Sequence, residues 1–338
     1  MGSVTIADLL QAHNLLDFPS VTASGNGDDG PGINSYLVQI AAMDRANGLA
    51  FLPPGTYRIA TPIVLPSNIT LFGFGDATIL RLGNSANVDV IQADGASNIR
   101  IKDLRIDGNR ANNTSGNGIG VFLNHVTDAW LENVNIVSCR ADGFQLQEPV
   151  RVELRGCSAS DCGRHGFALN AAEFCLLFAC RGFNNSQVSD AGDGDAIQVD
   201  ILSHDNAVIG ALGYETALTG DRQGYGFREL LAGGCYQNEL LGGAYRGNRT
   251  APFLAEPDSQ ALSYIGMAIG SLGLGTQSPD ASALLDLVAT TRGMGIPAMT
   301  TIQRDAIASP RAGLAIYNTT TGKLNIRVAA AWEAVTSV

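Results

Sequence analysis

The pentapeptide Asp-Gly-Phe-Gln-Leu at 142–146 returns as His-Gly-Phe-Ala-Leu at 165–169, and this offset of 23 residues limits the fold more than any other feature of the chain. Related segments begin at Asn117 (NGIGV), Asp195 (DAIQV) and Tyr225 (YGFRE), so the period runs from 23 to 30 residues. Each is followed by a second short apolar stretch: AWLENVNIVSC from 129, VRVELRGCSA from 150, FCLLFACRGF from 174, AVIGALGYET from 207 and ELLGGAYRGN from 239. Such a unit cannot bury its apolar face alone and must stack on copies of itself. The segments are short, rich in β-branched and aromatic residues, and broken by glycine every few positions, which excludes a helical repeat. The reading is all-β: a parallel β-helix of about six coils over residues 98–248, roughly 30 Å tall at ~4.8 Å per rung. The longer intervals are explained by loops inserted at NNSQVSDAGDG (from 184) and YETALTGDRQG (from 214), since solenoid insertions collect on one face.

Composition agrees with a turn-dense ordered chain: 338 residues with 40 glycines, 16% charged residues and slightly positive mean hydropathy. The net charge is −11, with six acidic and five basic residues after position 255, so most of the negative charge lies before it. An acidic chain is a poor match for nucleic acid. No run of 18 apolar residues occurs, and MGSVTIADLL has neither a basic start nor a long apolar stretch, so neither membrane insertion nor a secretory signal is expected, and synthesis in a cytoplasm is. The six cysteines are expected as free thiols. Cys157-x4-Cys162 and Cys175-x4-Cys180 have a superficial look of zinc ligands, yet the 23-residue offset relating Cys139 to Cys162 and Cys157 to Cys180 makes them stacked interior side chains. No metal or cofactor is expected.

Ahead of the coils, PGINSYLVQIAAMDRANG (31–48) places Ile33, Leu37, Ile40 and Ala41 on one helical face, with short strands after it. An open β-helix end exposes apolar rungs and unpaired backbone, so this segment reads as a cap. The arrangement NGDDGPGINSYLVQIAAMDRANGLAFLPPGTYRI…LPSNITLFGFG resembles the start of pectate-lyase-like right-handed β-helix proteins, over about residues 17–250. That resemblance spans phage tailspikes, polysaccharide lyases and mannuronan C5-epimerases, and implies a fold without choosing a reaction.

The epimerases of that group carry Tyr-Gly-Phe-Asp-Pro-His-Glu on the coil strand, with Tyr, Asp and His in proton transfer; here Asp142, Gln145 and Gln147 stand in those places, and Arg164 matches a family arginine. Glutamine cannot exchange a proton at neutral pH, which removes the epimerase chemistry. Strand alternation turns Phe144 and Leu146 inward and Gln145 and Gln147 outward. Stacked rungs then give an outward stripe of Gly120 and Phe122, Gln145 and Gln147, Ala168 and Asn170, Gln198 and Asp200. Of these, Phe122, Gln145, Gln147, Asn170, Gln198 and Asp200 are the candidate ligand contacts, since amides, a carboxylate and an aromatic can hydrogen-bond and stack on sugar; the alternative is a plain solvated face. A second set, Asn117, Asp142, His165, Asp195 and Tyr225, forms a ladder at the start of each strand. Asp142 and Asp195 fall two rungs apart, roughly 9.6 Å, near the separation of inverting glycosidases, with His165 between them. These three are the catalytic candidates; the competing reading has Asp142, which shares the parity of inward Phe144, buried against backbone amides.

After NRTAPFLAEPDSQ the composition changes. TTIQRDAIAS reads as a short capped helix, and GLAIYNTTTGKLNIRV as a hairpin with Leu314, Ile316, Tyr317, Leu324, Ile326 and Trp332 as the main large apolar groups. So small a core is marginal alone. Residues 273–335, through GLGTQSPDASALLDL, RGMGIPAMTTIQRDAI and GLAIYNTTTGKLNI…AAWEAV, resemble modules near the C-termini of phage tail fibres, which are trimers. The expected organisation is an N-terminal segment and cap at 1–80, β-helix at 81–255, neck at 256–288 and a β-rich trimerisation module at 289–338. The resemblance implies a virion tail fibre or tailspike protein: a homotrimer that joins other tail or baseplate proteins and meets host-surface polysaccharide. An active depolymerase of the same build and a purely structural tail piece are the alternatives.

Overall fold

The computed structural model describes residues 21–42, 48–188, 194–200, 202–214, 223–229, 235, 238–246, 251–255, 263–265, 272–274, 285–287, 293–329 and 331–335. The chain divides into two compact units, Met1–Val288 and Ala289–Val338. Residues 189–193 and 215–222 of the expected loop insertions from 184 and from 214, the N-terminal twenty residues and most of the expected neck lie outside the described residues.

The first unit is a parallel β-helix. One sheet stacks eight strands in coil order: Ile63–Val64, Ile91–Asp94, Val121–Asn124, Phe144–Gln147, Phe167–Asn170, Ile197–Asp200, Tyr225–Glu229 and Ala251–Ala255. The other holds 14 strands. Its long strands Ser97–Asp107 and Thr127–Val137 divide on later coils into pairs such as Val150–Arg155 with Ser158–Ser160, and Leu176–Phe178 with Arg181–Phe183. Rung-to-rung pairing among the described strands is parallel, in constant register from Phe144 to Phe167 to Ile197, with register shifts where Ile69–Leu82 pairs with Ser97–Asp107. The six expected coils are the rungs from Ile91 to Glu229, continued by a short strand at each end.

Alternation fills the interior. Phe144 and Phe167, both fully buried, stack at 4.8 Å between centroids with 3° between planes. Beside them runs the column Leu123, Leu146, Leu169, Val199. One corner is tight enough to require glycine: a Cβ on either Gly166 or Gly182 would lie 2.6 Å from the carbonyl oxygen of Ala196. The cysteines are free and buried, as stacked interior thiols should be, and Cys157 and Cys180 donate to the carbonyls of Leu131 and Leu154. Burial pushes the Cys175 thiol up to about 11, so it is not a thiolate at neutral pH.

The chain turns at positions repeated from coil to coil. Asn68, Asn98, Asp128, Arg151, Phe174 and Asp205 all have positive φ between 53° and 60°. Their side chains tie successive coils together: Asn98 donates to Asn68 at 3.0 Å, and Arg151 grips both oxygens of Asp128 at 2.7 and 2.9 Å. Asn and Asp tolerate this conformation better than other non-glycine residues, and four of these six corners carry one of them.

A helix at Gly30–Ala41 covers the N-terminal end, burying Ile33, Tyr36, Leu37 and Ile40, while Ala41 stays partly exposed. Two aspartates fasten it. Asp29 accepts the amides of Thr22 and Arg58, and Asp28 those of Gly30 and Ala60.

The second unit is a four-stranded sheet with the hairpin Ala315–Asn318 and Lys323–Val328 at its centre. The helix Thr301–Asp305 carries a capping box from Thr300 and Gln303. Among the described residues of this unit only Ile316 is a buried apolar side chain. Ile302 is 83% exposed and Tyr317 43%.

Candidate functional site

The outward face of the eight-stranded sheet presents two columns. One is Gln92, Phe122, Gln145, Ala168, Gln198 and Arg228; the other is Asp94, Asn124, Gln147, Asn170 and Asp200. Phe122, Gln145, Gln147, Asn170, Gln198 and Asp200 therefore share one face, as alternation predicts. The first rung needs correction. Gly120 is buried below the strand, and Asn124 takes the place beside Phe122, because the segment pairing with DGFQL is IGVFL from Ile119 and not NGIGV from Asn117. A two-residue echo of the Gly-x pattern conceals the shift in sequence. Phe122, Gln145, Gln147, Asn170 and Asp200 are partly exposed, whereas Gln198 is 93% covered and donates to Asp200 at 3.4 Å. The amides of Gln145, Gln147 and Asn170 hydrogen-bond no other described side chain, so they face outward with donors and acceptors both open.

At the edge of this face lies a cluster that sequence reasoning missed. His125 Nε2 is 3.0 Å from Glu148 and Nδ1 is 3.6 Å from Asp94, with all three side chains more than half exposed. Asn124 donates to the same Asp94 oxygen at 2.8 Å. Its only sequence signal is the 23-residue offset between His125 and Glu148, which lies outside the Gly-Phe segment.

The ladder at the strand starts is a different object. Its register is Asp89, Ile119, Asp142, His165, Asp195, Tyr225; Asn117 is not part of it and sits exposed in the preceding loop. Asp142 and Asp195 have no exposed surface and His165 is 4% exposed. The side chains of Asp89, Asp142, His165 and Asp195 each accept the backbone amide of the next coil: Ile119 N–H to Asp89 at 2.9 Å, His165 to Asp142 at 2.9 Å, Asp195 to His165 Nδ1 at 3.0 Å, and Tyr225 to Asp195 at 2.9 Å. The charge of Asp142 is matched by a bidentate Arg164 at 3.0 and 2.6 Å. Arg228 Nε pairs with Asp195 at 2.6 Å without hydrogen-bond alignment. Buried carboxyl groups with amide and guanidinium partners are fixed in place, away from any bound sugar. As catalytic candidates Asp142, His165 and Asp195 are thus displaced by their geometry: they join coils. Arg164 keeps its guanidinium half exposed above them.

Among the described residues no group of three His, Cys, Asp or Glu could hold a metal ion, and no helix is long and apolar enough to cross a membrane.

Residues 89–210 match the family described as right handed beta helix region, and residues 273–337 the family described as phage tail like trimerisation region. No curated protein matches the chain. Among solved structures, the A-module of mannuronan C-5 epimerase AlgE4 from Azotobacter vinelandii superposes with a TM-score of 0.62 at 21% identity, over 81% of this chain and 73% of that one. ORF18 of Geobacillus virus E2 gives 0.53 at 14% identity over 100% and 90%, and the pre-mature bacteriophage phi29 gene product 12 gives 0.58 at 14% over 71% and 34%. At these identities the likeness is one of fold, shared by an enzyme and by viral proteins alike. The chain is a right-handed parallel β-helix that carries a phage tail like trimerisation region at its C-terminal side.

Proposed function

We propose that the chain is a subunit of a phage virion tail, a homotrimer in which the β-helix meets host-surface glycan through the outward face of its eight-stranded sheet. The observation that carries the tail assignment is the trimerisation region, in a unit that buries one large apolar side chain among its described residues and leaves Ile302, Tyr317, Met294 and Val335 at 43–83% exposure. Each such group left in water forgoes about 1.5 to 3 kcal/mol, and three copies packed together recover it. The glycan assignment is supported by the open amides of Gln145, Gln147 and Asn170 beside Phe122 on successive rungs. Binding without cleavage fits this face better than depolymerisation, because the two stacked aspartates that suggested catalysis are fully buried.

Adsorption to host cells and to capsular or lipopolysaccharide glycans tests this directly. Retention without new reducing or unsaturated ends is the expected result, and Gln145→Ala with Gln147→Ala should weaken it. New ends would make the protein a depolymerase, and absence of any retention would leave a structural tail piece.

A further inference from the structure

The 14-stranded sheet carries a second outward-facing site that the stripe does not use. Its register brings Arg100, Trp130 and Glu153 into one column and Lys102, Glu132, Arg155 and Phe178 into the next. Between them lies a shallow cleft of about 290 Å³ lined by Arg100, Lys102, Trp130, Glu132 and Arg155. Trp130 is 44% exposed on a rigid strand, where an indole forgoes much of its burial energy. Its position is fixed: Nε1 donates to Glu153 at 2.6 Å, and the Arg100 guanidinium lies 5.2 Å from the ring centroid. Arg155 rests likewise on Phe178 at 5.4 Å.

The charges differ in their satisfaction. Lys102 pairs with Glu132 at 2.8 Å, and Arg155 with Glu153. Among the described residues no carboxylate pairs with Arg100, although the chain as a whole carries a charge of −11. A guanidinium held over an aromatic ring, with no carboxylate partner among the described residues, is pre-organised for a planar bidentate anion. The exposed part of the indole beside it can pack against the apolar face of a pyranose ring.

We infer that the cleft between Arg100 and Trp130 binds an acidic sugar unit of a polysaccharide, the carboxylate on Arg100 and the ring against Trp130. This assignment is independent of the amide stripe on the other sheet and stands or falls separately from it. A carboxylated sugar is favoured over an acidic protein surface because the cleft is small and offers one cation without a carboxylate partner beside one exposed aromatic, enough for a single anionic ring and too little for an extended acidic surface.

The chain has two tryptophans, so Trp332→Phe leaves Trp130 as the only indole reporter in the full-length protein. Titration with oligogalacturonate should give a saturable change in Trp130 emission that weakens with salt, while maltotetraose gives none. Arg100→Gln in that background should weaken the oligogalacturonate response at least tenfold, and Gln145→Ala with Gln147→Ala should leave it unchanged. A sulfated oligosaccharide binding more tightly than the uronate would keep the anion site and move the ligand from carboxylate to sulfate. An unsaturable response, equal affinity after Arg100→Gln, or a fall in oligomeric mass with that variant would overturn the inference, the last by making the cleft a contact between copies of the chain.

Discussion

The β-helix and the C-terminal unit solve the same problem in opposite ways. In the first, a long column of apolar side chains from Ile33 to Tyr245 is removed from water by the chain's own coils, and Phe144 and Phe167 have no exposed surface. In the second, a regular sheet with a capped helix and a well-formed hairpin buries Ile316 together with the polar Asn318 and Asn325. Those asparagines bond each other at 3.0 Å and hold the hairpin turn. Local rules alone therefore shape the second unit, while large apolar groups such as Ile302 and Tyr317 stay exposed in a single copy. One region is stable by stacking along a chain; for the other, the proposed trimer would supply the burial between chains.

The sharpest way to break this contrast is to end the chain at Ser271. The oligomeric mass should fall threefold by light scattering while the β-sheet circular dichroism of the coils persists; a truncated chain that is still trimeric would place the association signal in the β-helix. The next largest effect is expected from Phe144→Ala, which opens a cavity in a stacked aromatic column and should cost about 3–5 kcal/mol, independent of protein concentration. Ile302→Ala, by contrast, should lower stability only in a concentration-dependent manner, because Ile302 has no partner within one copy's core. Asp142→Ala removes an acceptor for the His165 amide and for half-exposed Arg164, and a loss of roughly 2 kcal/mol in denaturant unfolding is expected. Should the variant keep full stability, the ladder does not join the coils.

The smallest effect concerns acid. Burial pushes the Asp28 carboxyl up, but the amides of Ala60, Gly30 and Thr61 and the Thr61 hydroxyl more than reverse this and hold it below the usual carboxylate range. A lowered folded value means that the stabilisation is present above the ordinary value of 3.8 and is lost as pH falls through the folded one. Protection of the Gly30 and Ala60 amides, measured against their intrinsic exchange rates, should fall as pH drops below the ordinary value of 3.8 in the wild type. In Asp28→Asn that protection should be low throughout.

Much of this was legible before any coordinates. The period of two within DGFQL and HGFAL fixes which side chains turn inward, and the offset of 23 fixes how coils stack, so the core and the outward stripe follow from spacing alone. The parity of Asp142 already placed it with Phe144 on the buried side. What spacing could not supply was the register of a longer coil: 30 residues separate Asp89 from Ile119, and the extra residues let NGIGV imitate the repeat two positions early. Nor could it supply the interior amides. Asn206, which bridges Cys175, Ala172 and Asn238, sits in a sequence indistinguishable from an exposed turn. The single-copy exposure of Tyr317 was hidden for a different reason, since alternation marks a side chain as apolar without saying whose surface will cover it.

The ladder from Asp89 to Tyr225 also has a polarity. At Asp89, Asp142, His165 and Asp195 the side chain belongs to the earlier coil and the amide to the later one. A coil that has just formed therefore presents at its open edge an acceptor that water serves until the amide of its successor replaces it. Assembly of the solenoid then has a growing edge whose next partner always lies later in the chain, in the same direction as synthesis on the ribosome. Each coil acts as the lid of the one before it, taking a carboxylate or imidazole out of solvent only as it supplies the amide that replaces the water.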